Sequence, residues 1–230
     1  MRYIVIGLGT FGTTPAVKLT ELGHEVIGVD NQMDKVEFLK ESITHAICLN
    51  SKDDNAMKSL PLETTNVVIV CIGEDEGSSI MTTALLKKMN VKRIISRAIS
   101  PLHETVLEAM GITEIISPEE ETAERWAKKL TTEGVYNSFE LNKEYSILEM
   151  LVAEKFHGKS IGEIGFNKIF NVLVLAIMKP VEEKNMIGIS RTVNKIKEHA
   201  TAKTVLTKGD IMVLYGNNKN IQKLLQTDVQ

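Results

Sequence analysis

Near the amino terminus Gly7, Gly9 and Gly12 stand in the spacing GxGxxG, with Leu8, Thr10 and Phe11 between them. The spacing has a chemical use in one setting, where a strand runs into it and a helix opens from it. Gly7 then makes the tight turn, Gly9 lets the backbone approach a pyrophosphate, and Gly12 lets the helix pack close to the strand. Amides of the loop, with Thr10 and Phe11 at the helix start, face the phosphates with the helix dipole behind them. Asp30, roughly 20 residues further on, is placed to accept hydrogen bonds from both ribose hydroxyls. A carboxylate there repels a 2′-phosphate, and Asn31 beside it supplies no cation to receive one. An adenosine ribose with free hydroxyls is therefore favoured.

Loops at the carboxyl ends of later strands should line the same crevice. They carry Asn50 and Ser51 after the third strand, and Ile72, Gly73, Glu74 and Asp75 after the fourth. Taken singly, Asn50 and Ser51 read as turn or cap residues, and Asp75 as a solvated carboxylate. Arg97, closing the fifth strand, is the one strong cation positioned to reach a nucleotide; a surface ion pair is the competing account.

Hydride transfer would further require an acid/base group presented against the cofactor. His24, His45, His103, His157 and His199 are scattered, and none has an orienting carboxylate at a useful spacing. Gly158-Lys159-Ser160 resembles the tail of a P-loop, but the glycine required five positions before Gly158 is Ala153, so it reads as a turn. Cys48 and Cys71, the two cysteines, form no CxxC and no zinc spacing, and fall on strands too far apart for a disulfide.

These residues need a scaffold, and the first 130 residues supply its rhythm. Six strands, Tyr3 to Ile6, Glu25 to Val29, His45 to Leu49, Asn66 to Ile72, Arg93 to Arg97 and Glu114 to Ile116, alternate with helical stretches. Apolar spacing marks helices over Thr13 to Leu22, stopped at Gly23, and over Ser78 to Met89. Right-handed crossovers predict an α/β, Rossmann-like doubly wound parallel sheet of order 3-2-1-4-5-6. A further helix starts at Ser117-Pro118-Glu119 and runs to about Leu130. The polar stretch Thr131 to Lys143 has neither period and holds the expected boundary, dividing 1–134 from 135–230. Beyond it, strands at Tyr145 to Val152, Val172 to Met178 and Asp210 to Tyr215, with short helices at Ser160 to Ile164 and Asn220 to Gln226, predict a small α+β domain. Lys179 to Thr207 reads as an extended, Lys-rich excursion with some local structure.

Composition narrows the function classes. The 230 residues carry a net charge of −3, without the basic field that holds a phosphate backbone, so no nucleic-acid partner is expected. A strand-like run begins two residues after Met1, leaving no room for a secretory leader. No apolar stretch approaches the ~20 residues of a membrane span.

Taken together, the glycine loop, Asp30, the Ile72-Gly73-Glu74-Asp75 segment, Arg97 and the Ser117-Pro118-Glu119 helix start make the chain resemble the RCK (regulator of K+ conductance) family, in particular its stand-alone KtrA/TrkA type. The resemblance covers essentially the full length and includes a crossover helix with Trp126. It implies a cytoplasmic regulatory subunit, not an enzyme, forming homodimers that assemble into an octameric ring. That ring docks on a membrane K+-translocating subunit of TrkH/KtrB type and controls K+ flux. It also implies binding of NAD(H), ADP or ATP in the crevice, with Gly7, Gly9 and Gly12 on the phosphates, Asp30 on the ribose and Arg97 as the basic position. Glu119 matches a glutamate that helps hold a divalent cation near a neighbouring subunit's nucleotide. Some relatives bind cyclic di-AMP in the C-terminal domain, and Asn167 to Val174 lies near the matching region. Where Ktr-type members commonly place an arginine in the glycine loop, this chain has Thr10, which removes the basis for strong ATP-over-ADP discrimination and strengthens the case for NAD(H). An NAD-dependent oxidoreductase, and a nucleotide-binding scaffold serving another transporter, are the alternatives.

Overall fold

Isoleucine and valine runs fill the centre of the first sheet because both of its faces are covered, so successive side chains are buried alternately above and below. In the computed structural model, which describes residues 1–131, 134–184 and 190–226, the elements of this part are β1 (Arg2–Ile6), α1 (Thr10–Glu21), β2 (Glu25–Asp30), α2 (Met33–Leu39), β3 (His45–Cys48), α3 (Asp54–Lys58), β4 (Val67–Val70), α4 (Glu76–Lys88), β5 (Ile94–Arg97), α5 (Pro101–Ala109) and β6 (Glu114–Ile116). The six strands are parallel in the order β3-β2-β1-β4-β5-β6, as the alternating pattern predicts. Ile4 and Ile6 of β1 join Leu86 of α4 and Leu107 of α5 in one core layer. Val5 joins Ala16 of α1 and Leu39 of α2 in the other.

The helix after the glycine loop begins at Thr10, not at Thr13 as the sequence suggested. Its cap is Gly9, which makes no side-chain cap hydrogen bond, so the first turn carries none of the polar cap signals that mark a helix start. In the structure Pro15 lies beyond that turn, and its missing N–H deprives the Phe11 carbonyl of an intrahelical donor.

The helix α6 (Pro118–Thr131) follows β6. Compact packing divides the chain within it, into Met1–Glu121 and Thr122–Gln230, whereas the sequence put the boundary inside Thr131 to Lys143, of which residues 132 and 133 lie outside the described residues. The second unit contains β7 (Val135–Glu140), β8 (Tyr145–Leu151), α7 (Ile161–Ile164), α8 (Phe166–Phe170), β9 (Val172–Lys184), β10 (Ser190–His199), β11 (Ile211–Asn217) and α9 (Asn218–Gln226). Its five strands are ordered β10-β9-β11-β8-β7 and all pairs are antiparallel. Leu148, Met150, Phe166, Ile177, Met212 and Leu224 are among the residues of its core.

Two expectations are corrected here. Val135–Glu140, read as aperiodic, is a strand; a β-bulge between Val135 and Asn137 breaks the alternation that would have revealed it. Much of the excursion from Lys179 to Thr207 is regular: β9 continues to Lys184 and pairs with β10 from Lys184↔Ser190 to Ala176↔His199, with a second bulge between Ile196 and Glu198. Residues 185–189 lie outside the described residues. Exposed charged side chains on both strands hide the pairing, because a strand with few buried positions shows no apolar period.

Candidate functional site

The glycine loop connects β1 to α1 at the carboxyl edge of the first sheet. Gly7 has φ +95°, a conformation that side chains other than hydrogen disfavour, and its N–H donates to the Val29 carbonyl at 2.7 Å. A Cβ added at Gly12 would lie 1.8 Å from the Gly7 carbonyl oxygen, so the helix is seated directly on the turn. At Gly9, the residue capping α1, an added Cβ would meet nothing within 4 Å. The loop backbone is thus open on the side where phosphates would approach.

Asp30 ends β2 and is only 7% exposed. Its Oδ2 accepts from the Leu8 N–H at 2.7 Å and its Oδ1 from the Gln32 N–H at 2.9 Å. Each carboxylate oxygen has capacity for a further donor, so Asp30 can brace the loop and hold a ribose together. The bracing was not legible in the sequence, since it depends on where the loop after β1 folds against the end of β2 and not on strand order alone.

The crevice around these groups encloses about 910 Å³, within the range of cofactor sites. Gly7, Gly9, Thr10, Phe11, Asp30 and Asn31 line one part of it, while Asn50, Ser51, Ile72, Gly73 and Arg97 line another. Gly12 sits beneath the loop rather than in the lining. Asn50 Oδ1 accepts from the Lys52 N–H at 3.0 Å, and the Ser51 and Thr82 hydroxyls are 2.8 Å apart. Both residues therefore act as turn residues and face the crevice as well.

Arg97 lines the crevice and is ion-paired as well. Its guanidinium lies 5.1 Å from the Phe11 ring centroid and against the Gly73 backbone, and it forms an ion pair with Glu119. The side chain is 14% exposed, and Nε is buried without a hydrogen-bond partner. Glu119 stands in the first turn of α6, at the mouth of the crevice.

Lys35 and Lys52 also line the crevice, and sequence reasoning missed both. Lys35 Nζ pairs with Glu74 Oε1 at 3.2 Å, joining α2 to the loop after β4. Its approach depends on how α2 is laid across the sheet. Pro15 and Ser78 are further lining residues that no motif marked.

Cys71, at the back of the crevice, has its thiol pushed up to about 12 by burial, against the opposing pull of Arg97, which leaves it an inert neutral group. Both cysteines are free. Among the described residues no group of three or more His, Cys, Asp or Glu side chains is arranged to hold a metal ion. Asn167 to Val174 forms most of α8 and the start of β9 in the other unit. No helix among the described residues is long and apolar enough to cross a membrane.

Comparison with known proteins adds an independent line. The family model described as the TrkA-N domain matches residues 3–118. Over 222 residues the chain is 32% identical to the Ktr system potassium uptake protein A of Bacillus subtilis (strain 168), covering 96% of this chain and 94% of that protein. It is 33% identical over 181 residues to the Ktr system potassium uptake protein C of the same organism, covering 79% and 82%. Among solved structures, the GsuK RCK domain superposes with a TM-score of 0.67 at 17% identity, covering 100% of this chain and 48% of that one. The GsuK channel bound to NAD gives 0.66 at 18%, covering 100% and 39%. The chain thus spans half or less of those structures, and at such identity the likeness concerns the fold.

Proposed function

The chain belongs to the TrkA-N family of Ktr and Trk potassium uptake proteins, and from that premise we propose that it is the nucleotide-binding regulatory subunit of a potassium transport system, in which ligand exchange in the first-unit crevice controls K+ flux. The observation that carries this reading is the join between Arg97 and Glu119. Arg97 reaches the glycine loop through Phe11, while Glu119 belongs to the first turn of α6, the helix that leads out of the first unit. An anionic ligand near Arg97 draws on the same guanidinium that holds Glu119. Ligands placing different charge there then favour different conformations, and only such differential contacts can shift an equilibrium.

In this reading Gly7, Gly9, Thr10 and Phe11 receive the phosphates, Asp30 and Asn31 the ribose, and Asn50, Ser51, Ile72 and Gly73 flank the rest of the ligand. NAD(H) or ADP is the favoured occupant. Thr10 offers a hydroxyl where a third phosphate would gain most from a guanidinium. Isothermal calorimetry on the purified protein is expected to show NADH or ADP binding at least as tightly as ATP; a clear preference for ATP would count against the role given to Thr10. Once a phosphate takes over Arg97, the Glu119 carboxylate is released and becomes available to a divalent cation.

The regulatory reading also assigns a place. The chain acts at the cytoplasmic face of the membrane through a K+-translocating subunit of TrkH/KtrB type, as homodimers in an octameric ring. Among the described residues the crevice lining contains no histidine, which favours regulation over the oxidoreductase alternative. Potassium uptake by cells deleted for the gene tests it: the deletion should lower uptake at limiting K+, and the wild-type chain should restore it. Unchanged uptake in the deletion would remove the proposal.

A further inference from the structure

The second unit carries a separate concave site of about 340 Å³, lined by residues of α6 and of the strands β7, β8 and β10. Arg125, Trp126 and Lys129 enter it from α6, Tyr136 and Asn137 from β7, and Glu149 from β8, with Asn194 of β10 at its edge. The backbone is shaped for this. The bulge between Val135 and Asn137 gives β7 one residue more than its partner strand there, re-aiming Tyr136, and sets Asn137 directly opposite Glu149.

The side chains are also uncommitted. Of the polar groups, Asn137 accepts only from its neighbour's amide, the Ser138 N–H at 3.1 Å. Within the described residues no hydrogen bond or ion pair engages the side chains of Arg125, Tyr136, Glu149 or Asn194. Partial burial raises the proton affinity of Glu149, which Lys129 partly offsets. The Lys129 ammonium stands 4.9 Å from the Trp126 ring centroid, so positive charge and an aromatic surface occur together. Arg125 lies one position before Trp126.

We propose that this pocket is a second ligand site, taking a purine nucleoside monophosphate. Arg125 and Lys129 supply the charge-assisted donors a phosphate requires, and the Arg fork suits it in particular. Trp126 and Tyr136 offer rings on which a base can stack. Glu149, Asn137 and Asn194 present the carboxylate and amides that read the polar edge of a purine. The volume sits at the lower end of small-molecule sites, suited to a mononucleotide rather than to a dinucleotide.

The chain contains a single tryptophan, and it is the one in this pocket, so indole fluorescence reports the site directly. Titrating the full chain with AMP and with GMP should quench Trp126 saturably with at least one of them. Arg125 and Lys129 are exposed, so their loss does not threaten folding. The double variant Arg125→Ala/Lys129→Ala should weaken the response at least about tenfold, as expected for losing charge-assisted hydrogen bonds. Asp30→Asn, which acts in the crevice of the first unit, should leave the quenching curve unchanged, so failure here is distinct from failure of the crevice reading. Adenosine alone and inorganic phosphate alone should each act far more weakly than the nucleotide. Absence of quenching at millimolar AMP and GMP would overturn the proposal. So would quenching that follows Asp30→Asn rather than the double variant, or inorganic phosphate acting as well as the nucleotides.

Discussion

Gly12→Ala is expected to cost about 3 kcal/mol of stability, the upper part of the range for forcing an extra carbon into a packed region, and to abolish nucleotide binding in the first unit. The new Cβ would fall 1.8 Å from the Gly7 carbonyl oxygen and 3.0 Å from the Cys71 Cβ. Neither neighbour can give way cheaply. The carbonyl belongs to a turn pinned by the 2.7 Å bond from the Gly7 N–H to Val29, and Cys71 is 3% exposed. The helix must therefore lift from the sheet, and the amides that would meet a phosphate go with it. Guanidinium denaturation followed by backbone circular dichroism measures the first effect, and calorimetry with NADH or ADP the second. A midpoint and a binding isotherm both equal to wild type would show that the helix is not seated as described.

Asp30→Ala carries the second large effect, and its two consequences can be separated. Removing the carboxylate leaves the buried Leu8 N–H without an acceptor, which costs about 1–3 kcal/mol. It also removes the acceptor for two ribose hydroxyls; hydrogen bonds to a charged group at about 1.5–3 kcal/mol each make a loss of at least about 100-fold in affinity. Asp30→Asn divides these. Its one carbonyl oxygen can keep the Leu8 contact, and water can replace it at Gln32. Stability should stay near wild type while affinity for NADH falls about tenfold. If Asp30→Ala bound as tightly as wild type, the ribose assignment would be wrong. If Asp30→Asn lost as much stability as the alanine variant, the bracing role would need both oxygens.

The Lys35–Glu74 pair qualifies the argument about the ribose. Asn31 offers no cation, yet Lys35 reaches the same crevice from α2. Its charge is already held by a carboxylate across the mouth, so the preference for unphosphorylated ribose rests on Asp30 together with that pairing.

Much of the first unit was written in local pattern. Strands such as Val67–Val70 are apolar throughout because both faces are covered, and the alternation of such runs with helical spacing led directly to the observed strand order. GxGxxG and Asp30 were legible because each glycine answers a backbone constraint within a few residues. The start of α1 was misplaced by three residues because its cap is Gly9, whose lack of a side chain leaves no polar cap signal in the sequence.

Long-range packing decided the rest. That Asp30 ties down Leu8, that Arg97 is sandwiched between Phe11 and Gly73 while holding Glu119, and that Lys35 lines the crevice all follow from which strands and helices lie side by side. In the second unit β7 and β10 escaped notice for a related reason: bulges and solvent-facing charge erase the two-residue period, and only pairing with β8 and β9 makes them strands. The sequence by itself determined the glycine loop and the parallel sheet beneath it, because those depend on backbone sterics and apolar periodicity over short distances. Which side chains meet in the crevice and in the Trp126 pocket was settled only by tertiary structure, since such meetings are contacts between residues far apart along the chain.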